Sequence, residues 1–146
     1  MAAVKPCPDG MNWVNPYLTV KSAEASLDFY ARAFGFEKKL SMPGPDGKLV
    51  HAEMVHRTST IMFGPENPQY NSKSPNSLGG TPVTLFVYCE NVDSLATRAK
   101  GAGATVMQEP QDMFWGDRVA ILKDPDGHVW WFATHFKDFS PKDCRS

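Results

Sequence analysis

Cysteine is scarce. The chain of 146 residues carries 3, Cys7, Cys89 and Cys144, scattered and odd in number. That excludes a disulfide framework and a paired-cysteine zinc motif, and it points to a reducing compartment, the cytoplasm. Charge of either sign is not in excess: 15 Lys and Arg stand against 16 Asp and Glu, for a net −1. With no basic footprint, nucleic acid is excluded as a principal partner. No apolar run approaches the roughly 20 residues that span a bilayer. The opening MAAVKPCPDGMNW lacks the apolar core of a secretory signal, so no membrane partner is expected. A nucleophile motif, a phosphate-cradling glycine loop and a CxxC pair are also missing. What remains has the length of one compact domain, burying roughly 68–70% of its extended-chain surface.

Against those absences stands an aromatic hairpin. Residues Phe114–His135 read FWGDRVAILKDPDGHVWWFATH and hold three of the four tryptophans, Trp115, Trp130 and Trp131. Two apolar runs, Arg118–Lys123 and His128–His135, flank Asp124-Pro125-Asp126-Gly127. Pro presets a turn's second position and Gly tolerates the positive φ that closes it, so this is a β-hairpin.

The rest of the chain shows an internal duplication. In the first half, Trp13–Val20 reads as a strand and Ser22–Phe34 as a helix with Gly35 beyond its end. Strands at Phe36–Met42, Lys48–Val55 and Thr58–Phe63 follow, the first pair joined by a Pro-Gly-Pro-Asp-Gly turn at 43–47. Residues 64–81, rich in Pro, Gly, Asn and Ser, read as a linker or mobile loop. The order then repeats: a strand at Pro82–Glu90, an Asn91-capped helix ending at Gly103, a short strand at Thr105–Gln108, a loop over 109–117, and the hairpin. The modules are thus 13–63 and 82–136, with a tail over 137–146. The two PDG strings, 45–47 and 125–127, are not equivalent: the first joins strands two and three of its half, the second strands three and four.

Strand alternation assigns faces. Leu18 and Val20 oppose Asn15, Tyr17 and Thr19; Leu85, Val87 and Cys89 oppose Thr84, Phe86 and Tyr88; Trp130 and Phe132 oppose Trp131. The apolar sets belong under the helices. The mixed sets point away from them and are expected to enclose a cleft.

On NPYLTVKSAEASLDFYARAFGFE (15–37), HAEM (51–54), FVYCENVDSLATRAKGAGA (86–104) and FWGDR…LKDPDGHVWWFATH (114–135), the chain resembles the vicinal oxygen chelate superfamily. That superfamily includes glyoxalase I, bleomycin-resistance proteins and extradiol dioxygenases. Within it the chain is most similar to the PhnB-like branch. The resemblance implies an α+β fold of two βαβββ modules forming a curved eight-stranded mixed sheet around a cleft, helices on the convex side, and a homodimer. Its enzymes place a metal ligand at four positions, which here are Asn15, Met62, Thr84 and Trp131. Met and Trp do not ligate a hard divalent cation, and Asn and Thr are weak ligands alone. The expectation is therefore a cofactor-free, metal-free binder of a planar small-molecule ligand.

Its candidate contacts are Asn15, Tyr17, His51, Glu53, Phe86, Tyr88, Phe114, Trp115, Arg118 and Trp131. His51 and Glu53 lie two apart on one strand face, as a hydrogen-bonding pair, a general acid and base, or a substitute metal pair. The aromatics are pocket lining or core, and Arg118 is an anion binder or the partner of a structural salt bridge. His56 and His128, at turns, are expected in solvent. Two other readings stay open: a lyase or dioxygenase with divalent metal at His51, Glu53 and His135, and a non-catalytic structural module.

Overall fold

The computed structural model describes residues 3–143, so Cys144 lies outside the described residues. The first module runs β1 (Tyr17–Val20), α1 (Ala23–Phe34), β2 (Glu37–Pro43), β3 (Leu49–His56) and β4 (Ser59–Pro65). A 3-10 turn (Pro68–Tyr70) and the single helical turn α2 (Pro75–Leu78) follow. The second module is β5 (Thr84–Tyr88), α3 (Val92–Ala102), β6 (Thr105–Asp112), β7 (Asp117–Lys123) and β8 (Val129–His135). The eight strands fall into two four-stranded mixed sheets of matching order, β1-β4-β3-β2 and β5-β8-β7-β6. In each, the first strand runs parallel to the last and the others are antiparallel.

Both long helices form where caps and periodicity place them. Ser22 accepts from the Ala25 amide and Asn91 from the Ser94 amide, filling orphan donors of the first turn. Each helix stops at a glycine in left-handed conformation, Gly35 and Gly103. α1 packs on β2, β3 and β4, α3 on β6, β7 and β8, and the helices on each other. The modules thereby share one core, in which Tyr30 and Phe34 of α1 reach across to Trp130 and Phe132 of β8. Trp130 and Phe132 are fully buried, each stabilising the fold by roughly 1.5–3 kcal/mol.

Asp124 keys that junction. Its carboxylate accepts from Tyr30 Oη at 2.6 Å, Trp130 Nε1 at 3.0 Å and the amides of Asp126 and His128. Burial and the Asp124 charge push the Tyr30 phenol well above its ordinary pKa, so it stays a donor. Asp126 accepts from the Lys21 amide and from Ser26, docking the hairpin turn on the start of α1.

Four expectations are corrected. The first strand begins at Tyr17 rather than Trp13, because Trp13 and Val14 are exposed and Asn15 is folded back on its own loop. The fifth is shorter than Pro82–Glu90. β6 continues to Asp112, with register shifts that accommodate Pro110, so only 113–116 form the turn. The stretch 64–81 is not a plain linker. Ser74 caps α2, and Asn76 donates through its amide to Asp126 O at 3.0 Å and through Nδ2 to Pro125 O at 2.8 Å.

Candidate functional site

The registers align two rows of side chains on the faces turned from the helices. In the first module Tyr17, Met62, Glu53 and Leu40 lie side by side across β1, β4, β3 and β2. The second module repeats the row as Phe86, Trp131, Ile121 and Gln108. Directly opposed residues of paired strands share a face.

The first row carries a hydrogen-bonded chain. His51 Nε2 lies 2.8 Å from Glu53 Oε2 and Nδ1 3.1 Å from the Tyr17 hydroxyl; in the neutral imidazole Nε2 donates to the carboxylate and Nδ1 accepts from the phenol. Lys39 stands 3.8 Å from the other Glu53 oxygen. Tyr17 leans over Gly64 to reach His51: a Cβ on Gly64 would lie 2.7 Å from the Tyr17 hydroxyl oxygen. A glycine inside a strand marks such a close approach, and Gly64 lies within β4. Burial first, and then the Glu53 charge, raise the Tyr17 pKa, which keeps the phenol protonated.

The second row is aromatic. Phe86 meets Trp131 at 6.3 Å and Tyr88 at 5.3 Å, with Phe86 and Tyr88 about half exposed. The buried Asp117 gathers the polar atoms around this row: Tyr88 Oη at 2.8 Å, Trp115 Nε1 at 2.9 Å and His135 Nδ1 at 2.7 Å. Burial alone would raise the Asp117 pKa, but these three donors outweigh it and hold the carboxylate below its usual range. His135 Nε2 faces Asp138 at 2.8 Å. Bonds to Asp138 and Asp117 raise the His135 pKa and favour the imidazolium. Phe114 is exposed and packs edge-on against Trp115 and Phe139.

Several sequence-predicted roles change here. Asn15 bonds the Asn12 backbone through both ends of its amide, which holds it on its own loop. Arg118 is committed to Asp93 and Asp112, the structural salt-bridge alternative. Tyr88 and Trp115 present rings rather than free donors. His56 and His128 are not solvated turn residues: each spans the junction, His56 Nε2 to Tyr88 O at 2.7 Å and His128 Nε2 to Thr19 O at 2.8 Å. Spacing within one strand reveals none of these long-range partners.

The two rows do not touch. Among the described residues, no hydrogen bond or ring contact joins Tyr17, His51 or Glu53 to Phe86, Tyr88 or Trp131. At the seam between the modules, an apolar cavity of about 380 Å³ is lined by Pro16, Ile61, Leu85, Phe86 and Tyr88, with Trp130 behind them.

The sequence profile of the Glyoxalase/Bleomycin resistance protein/Dioxygenase superfamily matches residues 10–132. The chain belongs to that superfamily. It is 42% identical over 120 residues to an uncharacterized protein of Mycobacterium bovis, covering 80% of this chain and 79% of that protein. It is 33% identical over 117 residues to the anthracycline biosynthesis protein DnrV of Streptomyces peucetius, covering 70% of this chain but 39% of DnrV. Among solved structures it is similar to TioX from Micromonospora sp. ML1, with a TM-score of 0.68 and 27% identity over 84% of this chain and 99% of TioX.

For this superfamily member the metal question is one of donors. Tyr17 and Phe86 stand beside Met62 and Trp131 at the row centres, and Thr84 opposes Val129. Met62, Phe86 and Trp131 offer no donor for a hard divalent cation there, and Thr84 alone only a weak one. Among the described residues, no three His, Cys, Asp or Glu side chains are grouped to hold one. His135 belongs to the Asp117 cluster in the second module, bonded to Asp117 and Asp138.

Proposed function

We propose that the chain binds a planar, aromatic small molecule in a metal-free site, using the ring faces of Phe86 and Trp131 and the polar chain Tyr17–His51–Glu53. The observation that carries this reading is the aromatic row itself, Phe86, its ring about half exposed, beside Trp131. The donor-poor residues that the resemblance puts at the metal positions, Asn15, Met62, Thr84 and Trp131, support it. Aromatic faces offset against a flat ligand supply much contact area at fixed geometry. The kinship with DnrV, named for anthracycline biosynthesis, supports a polycyclic ligand. The half-exposed Tyr17, Phe86 and Tyr88 support a homodimer in which a second copy covers one row with the other. A monomeric sedimentation profile at micromolar concentration would contradict that assembly.

A thermal-shift series tests the binding. Anthraquinones are expected to raise the melting temperature and divalent metals to leave it unchanged, because a ligand of the native state stabilises it. One equivalent of tightly held divalent metal in natively purified protein would overturn the metal-free reading. It would favour the competing one, a lyase or dioxygenase built on the 2.8 Å His51–Glu53 pair.

A further inference from the structure

Resting on that binding reading, we propose that Tyr17, His51 and Glu53 form a proton relay that takes up the acidic hydroxyl of a conjugated-ring ligand and holds the ligand as its oxyanion. The chain is graded by burial. The Glu53 side chain is 12% exposed, that of His51 18%, and Tyr17 is 52% exposed. Both imidazole nitrogens are engaged, Nε2 by Glu53 and Nδ1 by Tyr17, so a proton reaches His51 through the phenol oxygen.

The balance is simple. The ligand O–H bond breaks and its proton passes to the Tyr17 oxygen, while the Tyr17 proton moves to His51 Nδ1. The imidazolium that forms is held by the Glu53 carboxylate, and the ligand oxyanion accepts a hydrogen bond from the re-formed Tyr17 hydroxyl. No net charge is created and no further reactant is needed; release reverses the transfer. The raised Tyr17 pKa suits a carrier rather than a store of negative charge. Lys39, 3.8 Å from Glu53 and bonded to Gly10 O at 2.8 Å, is the cation on the carboxylate's far side. The geometry is built into the fold, because the Tyr17 hydroxyl occupies the space that a Cβ on Gly64 would need. A tyrosine acting only as a ring or a donor needs no imidazole and carboxylate aligned behind it.

Alizarin, whose visible colour changes when its hydroxyl ionises, and its dimethyl ether, which has no proton to give, are the probes. At a pH where free alizarin is neutral, the wild-type complex is expected to show the anion spectrum. His51→Gln and Tyr17→Phe are expected to bind alizarin at least tenfold more weakly, with the neutral spectrum, and to lose several-fold less affinity for the ether than for alizarin. The relay is overturned if wild-type-bound alizarin stays neutral or if His51→Gln still ionises it. Should both dyes bind equally and neutrally, the binding reading stands and the relay alone falls. If neither dye binds, both fall. Tyr17 is exposed, so Tyr17→Phe keeps the test open even if His51→Gln fails to fold.

Discussion

In the first module the row turned from the helix reads Tyr17, Met62, Glu53, Leu40; in the second it reads Phe86, Trp131, Ile121, Gln108. The registers are the same, and the neighbouring core positions match as well, Ile61 with Trp130 and Phe63 with Phe132. What differs is the chemistry laid over a common frame. One row carries a carboxylate, with an imidazole and a phenol around it. The other has rings rather than oxygen donors at its centre. A duplicated fold lets the halves specialise because the helix-facing residues, not the row, hold each module together. The position of Trp131 is the sharpest instance: its indole stands beside Phe86, at the place in the second row that Met62 holds beside Tyr17 in the first.

The largest effect that follows concerns the two adjacent tryptophans. Trp130→Ala is expected to cost about 3–5 kcal/mol in urea unfolding, since the ring is fully buried against Tyr30, Phe34, Phe36 and Phe132. Trp131→Ala is expected to cost less than about 1.5 kcal/mol, because its ring lies on the half-exposed face, while removing anthraquinone binding. Equal losses of stability would erase the distinction between core face and row.

That distinction was readable from the sequence, as were both helices, their caps and the unequal PDG strings. Period-two alternation and glycine ends are local signals, and local geometry obeys them. The site was less legible. His51 and Glu53 announced themselves by spacing, but the Asp117 cluster brings together residues from positions 88, 115, 117 and 135. The seam depends on His56, Asp124 and His128 reaching partners in the other module. Such partners are set by how two modules dock, which no pattern within one strand encodes. Asn15 shows the converse, a polar side chain that strand alternation puts on the row's face but whose amide is bonded at both ends to its own loop.

The two PDG aspartates give a smaller contrast. Asp126→Ala leaves the Lys21 amide and the buried Ser26 hydroxyl without their acceptor, and is expected to cost about 1–3 kcal/mol. Asp46, exposed and bonded only to the Lys48 amide, is expected to change stability by less than about 0.5 kcal/mol when replaced by Ala. Chemical denaturation of both variants side by side reads the difference. Similar values would mean that the second turn is not docked on α1.

The smallest effects separate the modules by pH. Four residues past each row centre, Glu66 and His135 tie down the segment that follows their strands. Glu66 accepts from the Ser74 amide at 2.9 Å, and bonds from the Ser77 side chain and that amide lower its pKa. A lowered carboxylate pKa stabilises the folded state above the unfolded value and loses that contribution as pH falls through the folded one. His135 is the opposite case. Its raised pKa stabilises the fold below the ordinary histidine value, and the contribution is lost as pH rises through the raised one. Hydrogen exchange, corrected for intrinsic pH dependence, is therefore expected to show acid loosening the Ser74 amide. Rising pH should instead loosen Phe136 and Lys137, whose amides bond Gly116 O. Glu66→Gln should remove the first dependence and His135→Asn the second, each leaving the other in place. Were one substitution to abolish both, the ties would not be independent, and the two modules would respond to pH as a single unit.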